Sequence, residues 1–294
     1  MPHRGRTLTP HITMRKRTVM LITGPTASGK SALAIDLALQ SGTEIVSADS
    51  RQTYRHIPIL TAVPTAEERM GIRHHLMEEL ELEDYYSASM FESEAMARLA
   101  DIFSRNDVAV VCGGSMMYID ALCHGIDDIP TVPAHIREAT VHDYETKGTD
   151  WLREELHRLD PDYFATVDLH NIKRLLHAVE IIRTAGVTYS SLRTGAKRAR
   201  PFAIEEHRLM PPREELFSRI NSRVDAMMAA GALDEARSMY DRRHLNSLNT
   251  VGFKELFAYF DGLMSLDEAV ARIKKNTRVY AKKQMLWAKK RIPG

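Results

Sequence analysis

The sequence predicts an α/β fold, a parallel sheet that carries a phosphate-binding loop, with a helical insertion. Residues 24–31 read GPTASGKS and fit the pattern G-x-x-x-x-G-K-[ST] at every fixed position. This stretch lies between an apolar, β-prone run over 18–23 and a helical run over 31–40, which is the strand-loop-helix context that the pattern requires. Residues 128–200, in contrast, contain helical segments and no strong strand signal.

The loop residues have the chemistry needed to hold phosphate. Glycines at positions 24 and 29 allow successive N–H groups to turn inward at a helix N-terminus, where the dipole also favours an anion. Lys30 adds positive charge for the terminal phosphate oxygens, and the Ser31 hydroxyl is placed to bind Mg²⁺. We expect a di- or triphosphate to be bound by Gly24, Pro25, Thr26, Ala27, Ser28, Gly29, Lys30 and Ser31. The pattern does not say whether that phosphate is cleaved, transferred or released as a leaving group.

A second predicted strand, 44–47, runs into the segment Ala48-Asp49-Ser50-Arg51-Gln52. In an open α/β sheet, residues just beyond the carboxyl end of a strand face the ligand crevice, so we expect Asp49 near the phosphate loop. The alternative is that Asp49 caps a helix or closes an Asx turn. A helix over 87–103 then leads into another apolar run, 108–112, of the kind buried in parallel sheets.

That apolar run ends in Gly113-Gly114-Ser115. A nucleoside triphosphatase would usually place a metal-linked Asp there, and two glycines and a hydroxyl occupy the position instead. Hydrolase or kinase chemistry is therefore less favoured. The glycines suit close approach of a ligand to the backbone, or else a tight strand-to-helix turn.

The remaining elements set the predicted domain boundaries. We predict a disordered leader over 1–17, a P-loop NTPase-like α/β core over 18–129 and 201–294, and a helical insertion domain over 130–200. The insertion is expected to contain helices over 133–147, 151–159 and 171–184. In the core we expect a proline-punctuated loop over 59–64, a returning edge strand over 206–210, and helices over 213–230, 248–262 and 265–291.

Composition and charge limit the classes of function. Of the 294 residues 44% are hydrophobic and 27% charged, as in globular proteins, and the formal net charge is +1. Residues 272–291 contain nine basic and no acidic residues, which favours a polyanionic partner. Cys112 and Cys123 give no disulfide framework, and no stretch approaches the length of a membrane span. We expect a cytoplasmic protein that does not bind membranes.

Several short motifs occur in order along the chain. They are GPTASGKS, SADSRQTYR over 47–55, HHL over 74–76, GGS over 113–115, residues 171–180 and 219–227, TVGFKE over 250–255, and RVYAKKQMLW over 278–287. Together they resemble the tRNA dimethylallyltransferases, also called tRNA isopentenyltransferases, over about residues 18–291. The phosphate loop alone is shared by many proteins, whereas its combination with SADSRQTYR and the late basic helix is quite specific.

The resemblance implies an activity. That family transfers a dimethylallyl group from dimethylallyl diphosphate to N6 of the adenine 3′ to the anticodon, in tRNAs that read codons starting with U. It also implies a core similar to P-loop kinases, a helical insertion that clasps the anticodon stem-loop, and Mg²⁺ as cofactor. We expect the protein to act as a monomer on tRNA.

The resemblance further assigns roles to residues. Asp49 matches the general base for N6, and Lys30, Ser115 and Arg223 complete the catalytic set, with Lys30 and Arg223 on the diphosphate. The implied tRNA-contacting residues are Asp49, Ser50, Arg51, Gln52, Ser115, Arg137, Lys173, Arg174 and His177. The adenine would have to leave its stack, and the channel would have to exclude water from the allylic cation.

Two positions depart from the family pattern. The family commonly has Gly-Gly-Thr-Gly-Leu-Tyr where this chain places Met116 after Ser115. Its usual Arg-Ala-Leu-Glu is replaced by a run that begins with His177, so a histidine stands where an arginine contacts tRNA. We therefore expect RNA binding that is weaker or more dependent on pH than in relatives.

Three other functions remain open from the residues. A small-molecule or nucleotide kinase needs only the loop and the α/β core, although the missing Asp after residues 108–112 counts against it. A non-catalytic RNA-binding module would not require Asp49, Lys30 and Ser31. A prenyltransferase acting on free AMP would not require the insertion or the basic C-terminal run.

Overall fold

The computed structural model describes residues 17–291, so the predicted leader lies outside the described residues apart from Arg17. The described chain forms two compact units. The first comprises residues 17–123 and 200–291, and the second is His124–Ala199. The second unit therefore begins earlier than the predicted boundary at 130, because the Arg198 N–H donates to the His124 carbonyl and closes its entry against its exit.

The first unit is built on a sheet of five parallel strands, which confirms the predicted fold class. The strands are β1 (Thr18–Thr23), β2 (Ile45–Ser47), β3 (His74–His75), β4 (Val108–Cys112) and β5 (Ala203–Arg208). Their order across the sheet is β3-β2-β4-β1-β5. β5 overlaps the returning edge strand predicted over 206–210 but begins earlier, at Ala203, which pairs with Thr18 on the neighbouring strand β1. β3, a two-residue strand, was not predicted.

Strand order and strand composition explain where the site lies. β1 and β4 are interior strands and are rich in buried aliphatic residues, as expected for a sheet covered on both faces. Between β1 and β2 the chain passes over β4, so the carboxyl ends of these three strands border one crevice. The phosphate loop, residues 48–52 and residues 113–115 all follow these strand ends.

Helices make up most of the remaining structure. The first unit contains α1 (Lys30–Ser41), α2 (Pro58–Thr61), α3 (Ala66–Arg69), α4 (Ala88–Ile102), α5 (Met116–His124, which reaches the unit boundary), α10 (Arg213–Ala229), α11 (Ala232–Ser238), α12 (Phe253–Phe260) and α13 (Leu266–Lys290). The second contains α6 (Ala134–Leu159), α7 (Pro161–Phe164), α8 (Ile172–Ala185) and α9 (Tyr189–Leu192). No helix among residues 17–291 has the length and apolar character needed to cross a membrane.

Two core segments differ from the prediction. The predicted loop over 59–64 contains the one-turn helix α2, with Pro58 at its first position, where a missing N–H costs nothing. The predicted helix over 248–262 begins only at Phe253, because Gly252 takes a φ of 101°, and a short 3₁₀ turn, Asn246–Leu248, precedes it. Helix α12 then packs Phe253, Leu256 and Phe257 against α10 and α13.

The second unit joins two predicted helices into one. The predicted segments 133–147 and 151–159 form α6, which bends at Gly148, where φ is 83°. The fully buried Asp160 follows: its carboxylate accepts hydrogen bonds from the N–H of Tyr163 and from both the N–H and the hydroxyl of Ser190. These bonds hold α7 and α9 to the end of α6, since a buried carboxylate needs such partners.

Candidate active site

The phosphate loop has the geometry of an anion site. Gly29 caps α1 in the left-handed region, so the helix starts at Lys30, and the first N–H groups of a helix are the ones that can bind an anion. A side chain at Gly24 would lie 2.5 Å from the Leu209 carbonyl oxygen, so no larger residue fits. The Ser28 hydroxyl is buried and has no hydrogen-bond partner among the described residues. A bound phosphate oxygen would supply that partner.

Two cations lie beside this loop. Lys30 Nζ donates to the Pro25 carbonyl at 2.7 Å, and burial lowers the pKa of the ammonium group. Arg223, on α10, places Nη1 3.4 Å from the Thr26 hydroxyl, and burial lowers its pKa as well. Asp49 favours the charged form of both groups. A bound diphosphate would compensate the same desolvation more fully.

Asp49 lies where the carboxyl end of β2 meets the phosphate loop. Its Oδ1 accepts from the N–H groups of Arg51 (2.9 Å) and Gln52 (3.3 Å), which forms the Asx turn that was the alternative prediction. Asp49 also lines a pocket with Thr26 and Arg223, so the turn and a place in the site occur together. Because both hydrogen bonds go to Oδ1, the Oδ2 atom keeps its capacity to accept a proton.

The neighbouring predicted tRNA contacts are tied to the protein backbone. Arg51 donates from Nη1 to the carbonyls of Asn246 (2.9 Å) and Ser247 (3.1 Å). Gln52 donates from Nε2 to the carbonyls of Thr61 (3.2 Å) and Ala62 (2.8 Å). Arg51 lines the pocket that contains Asp49, whereas Gln52 does not, and the bonds from Gln52 fix Thr61 and Ala62, which do line it.

Ser115 lies at the end of β4, and its hydroxyl accepts from the N–H of Ser50 at 2.8 Å. The preceding glycines permit this packing, since a Cβ at Gly113 would lie 2.1 Å from the Ala48 carbonyl oxygen. Gly113 therefore allows a close approach, as predicted, but the group that approaches it is the backbone of Ala48 and not a ligand. Met116 opens helix α5 and lines neither the phosphate pocket nor the pocket that contains Asp49.

Two adjoining pockets contain these groups. One, of about 530 Å³, is lined by residues 27–31 of the phosphate loop and by Arg219. The other, of about 400 Å³, contains Asp49 and is lined by polar side chains together with one apolar wall. That wall is formed by Leu60, Ile220, Val224, Met227, Val251 and Ile273. Ala62 and Arg223 line both pockets, so the phosphate site and the carboxylate site share a border.

Some residues of the site were not assigned by the sequence analysis. Tyr280 and Thr277, on α13, line the Asp49 pocket, and burial followed by the charge of Asp49 raises the pKa of Tyr280 to about 12. Gln284 contacts the phosphate loop itself. Tyr280 and Gln284 lie inside the motif RVYAKKQMLW, which indicates the family but not the role of each side chain.

The residues near Ser31 suit Mg²⁺. Ser31 and Asp36 both line the phosphate pocket, and their side chains carry hard oxygen donors of the kind that Mg²⁺ prefers. Among the described residues, no cluster of three or more His, Cys, Asp and Glu is arranged to hold a metal ion. Mg²⁺ would therefore depend on diphosphate oxygens for its remaining ligands, as is usual for this ion.

The other predicted tRNA contacts belong to the second unit. Lys173 and Arg174 are exposed in the first turn of α8. His177 follows on the same helix, and its Nδ1 lies 3.9 Å from the carboxylate of Glu180, which Arg137 of α6 approaches at 3.8 Å. The predicted RNA contacts of this unit thus lie on α6 and α8, the two helices whose packing forms the core of the unit.

Fold and site together define a P-loop α/β protein whose phosphate pocket adjoins a carboxylate-containing pocket. A family model described as IPP transferase matches residues 52–291. tRNA dimethylallyltransferase 1 of Bacteroides fragilis is 50% identical over 277 residues, covering 94% of this chain and 92% of the relative. The tRNA dimethylallyltransferase of Christiangramia forsetii is 44% identical, covering 92% and 89%.

Solved structures agree with these relatives. A tRNA isopentenylpyrophosphate transferase of Bacillus halodurans aligns with a TM-score of 0.67 and 32% identity, over 93% of this chain and 87% of that one. A eukaryotic dimethylallyltransferase described as acting on tRNA aligns with a TM-score of 0.79 and 28% identity, over 92% and 69%. The chain belongs to the IPP transferase family, which confirms the family predicted from the motifs.

Proposed function

We propose that this protein transfers a dimethylallyl group from dimethylallyl diphosphate to N6 of the adenine 3′ to the anticodon, in tRNAs that read codons starting with U. The observation that carries the proposal is the shared border between the phosphate pocket and the pocket that contains Asp49. The relatives named above as tRNA dimethylallyltransferases support the substrate and the donor. We further propose that the protein acts as a cytoplasmic monomer.

The phosphate pocket would hold the leaving group. Negative charge builds on the bridging oxygen as the allylic C–O bond breaks, and the loop N–H groups, Lys30 and Arg223 stabilise that charge. Mg²⁺ bound with Ser31 would add Lewis-acid stabilisation to the same oxygens. The apolar wall of the Asp49 pocket would limit the access of water to the allylic carbon on that side.

Asp49 would act on the incoming base. The exocyclic nitrogen of adenine is a weak nucleophile and must lose a proton as it bonds to the allylic carbon. A carboxylate within hydrogen-bond reach is a suitable general base, and such groups contribute about 10²- to 10⁴-fold to rate. The adenine must be extruded from its stack to reach Asp49, since the carboxylate lies inside a pocket.

The proposal is tested by transfer of radiolabel. Dimethylallyl diphosphate labelled in the dimethylallyl group is incubated with Mg²⁺, the protein and an anticodon stem-loop RNA that has adenine 3′ to the anticodon. We expect label in this RNA and none in a matched RNA with guanine at that position. Phosphoryl transfer from ATP, with neither RNA labelled, would favour the kinase instead.

The second unit gives a pH-dependent prediction. Partial burial, and then the charge of Arg137, lowers the pKa of His177 below its ordinary value of 6.5, so the side chain is neutral near pH 7. RNA phosphate favours the imidazolium, and we expect affinity for the stem-loop to rise as pH falls below 6.5. In His177→Gln this rise should disappear. Fluorescence anisotropy across this pH range measures the effect, and equal slopes in both proteins would remove His177 from the RNA interface.

The lowered pKa has an independent consequence for stability. Because the unfolded chain binds a proton at His177 more readily than the folded protein does, this residue costs stability below pH 6.5, and the cost is relieved as pH rises. The thermal unfolding temperatures of wild type and His177→Gln, measured without RNA at each pH, separate this effect on stability from the effect on RNA binding.

The basic face of α13 gives a salt-dependent prediction. Lys282 and Lys283 are exposed, and we expect their joint replacement by Gln to weaken RNA binding. The slope of log affinity against log salt should become shallower by about 1 for each phosphate that these lysines neutralise. Lys274→Gln on the same helix is the control, because Asp225 already lies 2.5 Å from that ammonium group. An unchanged slope in the double variant would place the RNA elsewhere.

A further inference from the structure

Gln284 connects the phosphate loop to the segment that follows β4. Its side chain is 3% exposed, Oε1 accepts from the N–H of Thr26 at 2.8 Å, and Nε2 donates to the carbonyl of Gly114 at 2.9 Å. The orientation of the amide follows from its partners, since a backbone N–H only donates and a carbonyl only accepts. Both halves of the amide are therefore used.

The link continues from Gly114 through its chain neighbour Ser115 to the backbone on either side of Asp49. The next residue, Ser115, accepts from the N–H of Ser50 and donates its own N–H to the Ala48 carbonyl at 3.2 Å. Asp49 lies between Ala48 and Ser50, so its backbone is held on both sides. A continuous path thus runs from Thr26 in the phosphate loop through Gln284 and Ser115 to Asp49.

The amide has little freedom to move. A Cβ at Gly114 would lie 2.5 Å from Gln284 Nε2, so the glycine is required for the approach of this side chain. Helix α13 is also fixed on either side of the amide: Ala281 and Ala288 are fully buried, and Trp287 donates from Nε1 to Asp120 at 2.8 Å. Helix α13 therefore fixes the position of the Gln284 amide between Thr26 and Gly114.

We propose that Gln284 is a positioning residue that sets the distance between the leaving diphosphate and the general base Asp49. The inference rests on the proposed function. Attack at the allylic carbon requires the nucleophile and the leaving group on opposite sides of one atom, and a misplacement of about 1 Å can cost about 10²-fold in rate. Gln284 touches neither substrate and acts through Thr26 and Gly114.

The first test removes both hydrogen bonds. Gln284→Met keeps the length of the side chain but leaves the Thr26 N–H and the Gly114 carbonyl unpaired. We expect the turnover number to fall by about 10²-fold, while the dissociation constants of pyrophosphate and stem-loop RNA change by only a few fold. A loss confined to pyrophosphate affinity would overturn the proposal, since it would make Gln284 part of the phosphate site alone.

The second test uses pH to change the protonation of a carboxyl group placed at position 284. It remains informative if Gln284→Met does not fold. In Gln284→Glu the introduced carboxylate can accept from Thr26 but cannot donate to Gly114, whereas the protonated carboxyl can do both. Burial beside a carbonyl raises the pKa of such a group. We expect the ratio of variant to wild-type turnover to increase as pH is lowered from about 8 to 6.

The chain offers a matched control. Gln40→Glu on the exposed end of α1 makes the same change in charge away from the site, and its ratio should not vary with pH. A pH-independent ratio in Gln284→Glu, or turnover equal to wild type in both Gln284 variants, would overturn the positioning role. Failure of the wild-type protein to label RNA would instead overturn the proposed function, and the positioning role with it.

Discussion

Asp49→Asn is expected to lower the turnover number for prenyl transfer by about 10²- to 10⁴-fold, because an amide cannot take the proton that N6 loses. The amide oxygen can still accept from the N–H groups of Arg51 and Gln52, so the turn that shapes the pocket is preserved. Single-turnover transfer from labelled dimethylallyl diphosphate to stem-loop RNA measures the effect. Asp49→Ala, which also removes the turn, should be at least as slow.

Binding measurements decide whether the loss belongs to the chemical step. We expect the affinities of Asp49→Asn for RNA and for pyrophosphate to stay within a few fold of wild type, since a general base acts mainly in the transition state. Asp267→Asn, in the exposed first turn of α13, is a control for the change in charge. Equal losses in RNA affinity and turnover would mean that Asp49 serves mainly to bind the base.

The location of the site follows from local sequence. The phosphate loop is defined by residue types within eight positions, and the rule for strand ends places Asp49 beside it once residues 44–47 are recognised as a strand. The apolar run 108–112 likewise predicts an interior strand, which β4 is. Each of these inferences needs only neighbours in the chain, so no knowledge of tertiary contacts is required.

The internal support of the site could not be predicted in this way. The bond between Thr26 and Gln284 joins residues 258 positions apart, and that between Arg51 and Asn246 joins residues 195 apart. Ala62, which lines both pockets, has a φ of 53°, a conformation that its residue type disfavours. Tertiary structure stabilises that turn, because the Gln52 side chain donates a hydrogen bond to the Ala62 carbonyl.

The same contrast explains the errors in the predicted elements. Proline punctuation suggested a loop over 59–64, yet the N–H groups of Ile59 and Leu60 each donate to the buried carboxylate of Glu235 at 2.8 Å. Glu235, on α11, therefore caps a helix that local sequence does not favour. Such a cap becomes visible only when α2 and α11 are brought together.

Lys30→Met should also have a large effect, through binding of the diphosphate as well as turnover. The variant keeps the length of the side chain and removes the charge that would face the terminal phosphate oxygens. We expect turnover to fall by about 10²- to 10³-fold, the range seen when one electrostatic contact to a developing anion is removed. Affinity for pyrophosphate, measured by calorimetry, should fall as well, whereas stem-loop RNA alone should bind with unchanged affinity.

The direction of the Lys30 pKa shift adds a pH test. Burial lowers this pKa in the free protein, and the charge of a bound diphosphate raises it, so binding takes up a proton at any pH between the two values. Wild-type affinity for pyrophosphate should therefore decrease as pH rises through the lowered pKa, and the decrease should be absent in Lys30→Met. Identical pH profiles would show that Lys30 stays charged in the free protein.

Stability should change in the opposite sense to function. The unfolded chain binds the Lys30 proton more readily than the folded protein does, so the buried ammonium group costs stability at neutral pH, and this cost is relieved only as pH rises above the lowered pKa. We expect Lys30→Met to unfold at or above the wild-type temperature in the absence of ligand, and pyrophosphate to stabilise wild type much more than the variant. A variant that melts well below wild type would show instead that the hydrogen bond from Nζ to the Pro25 carbonyl outweighs the desolvation of the charge, so that Lys30 holds the empty loop together.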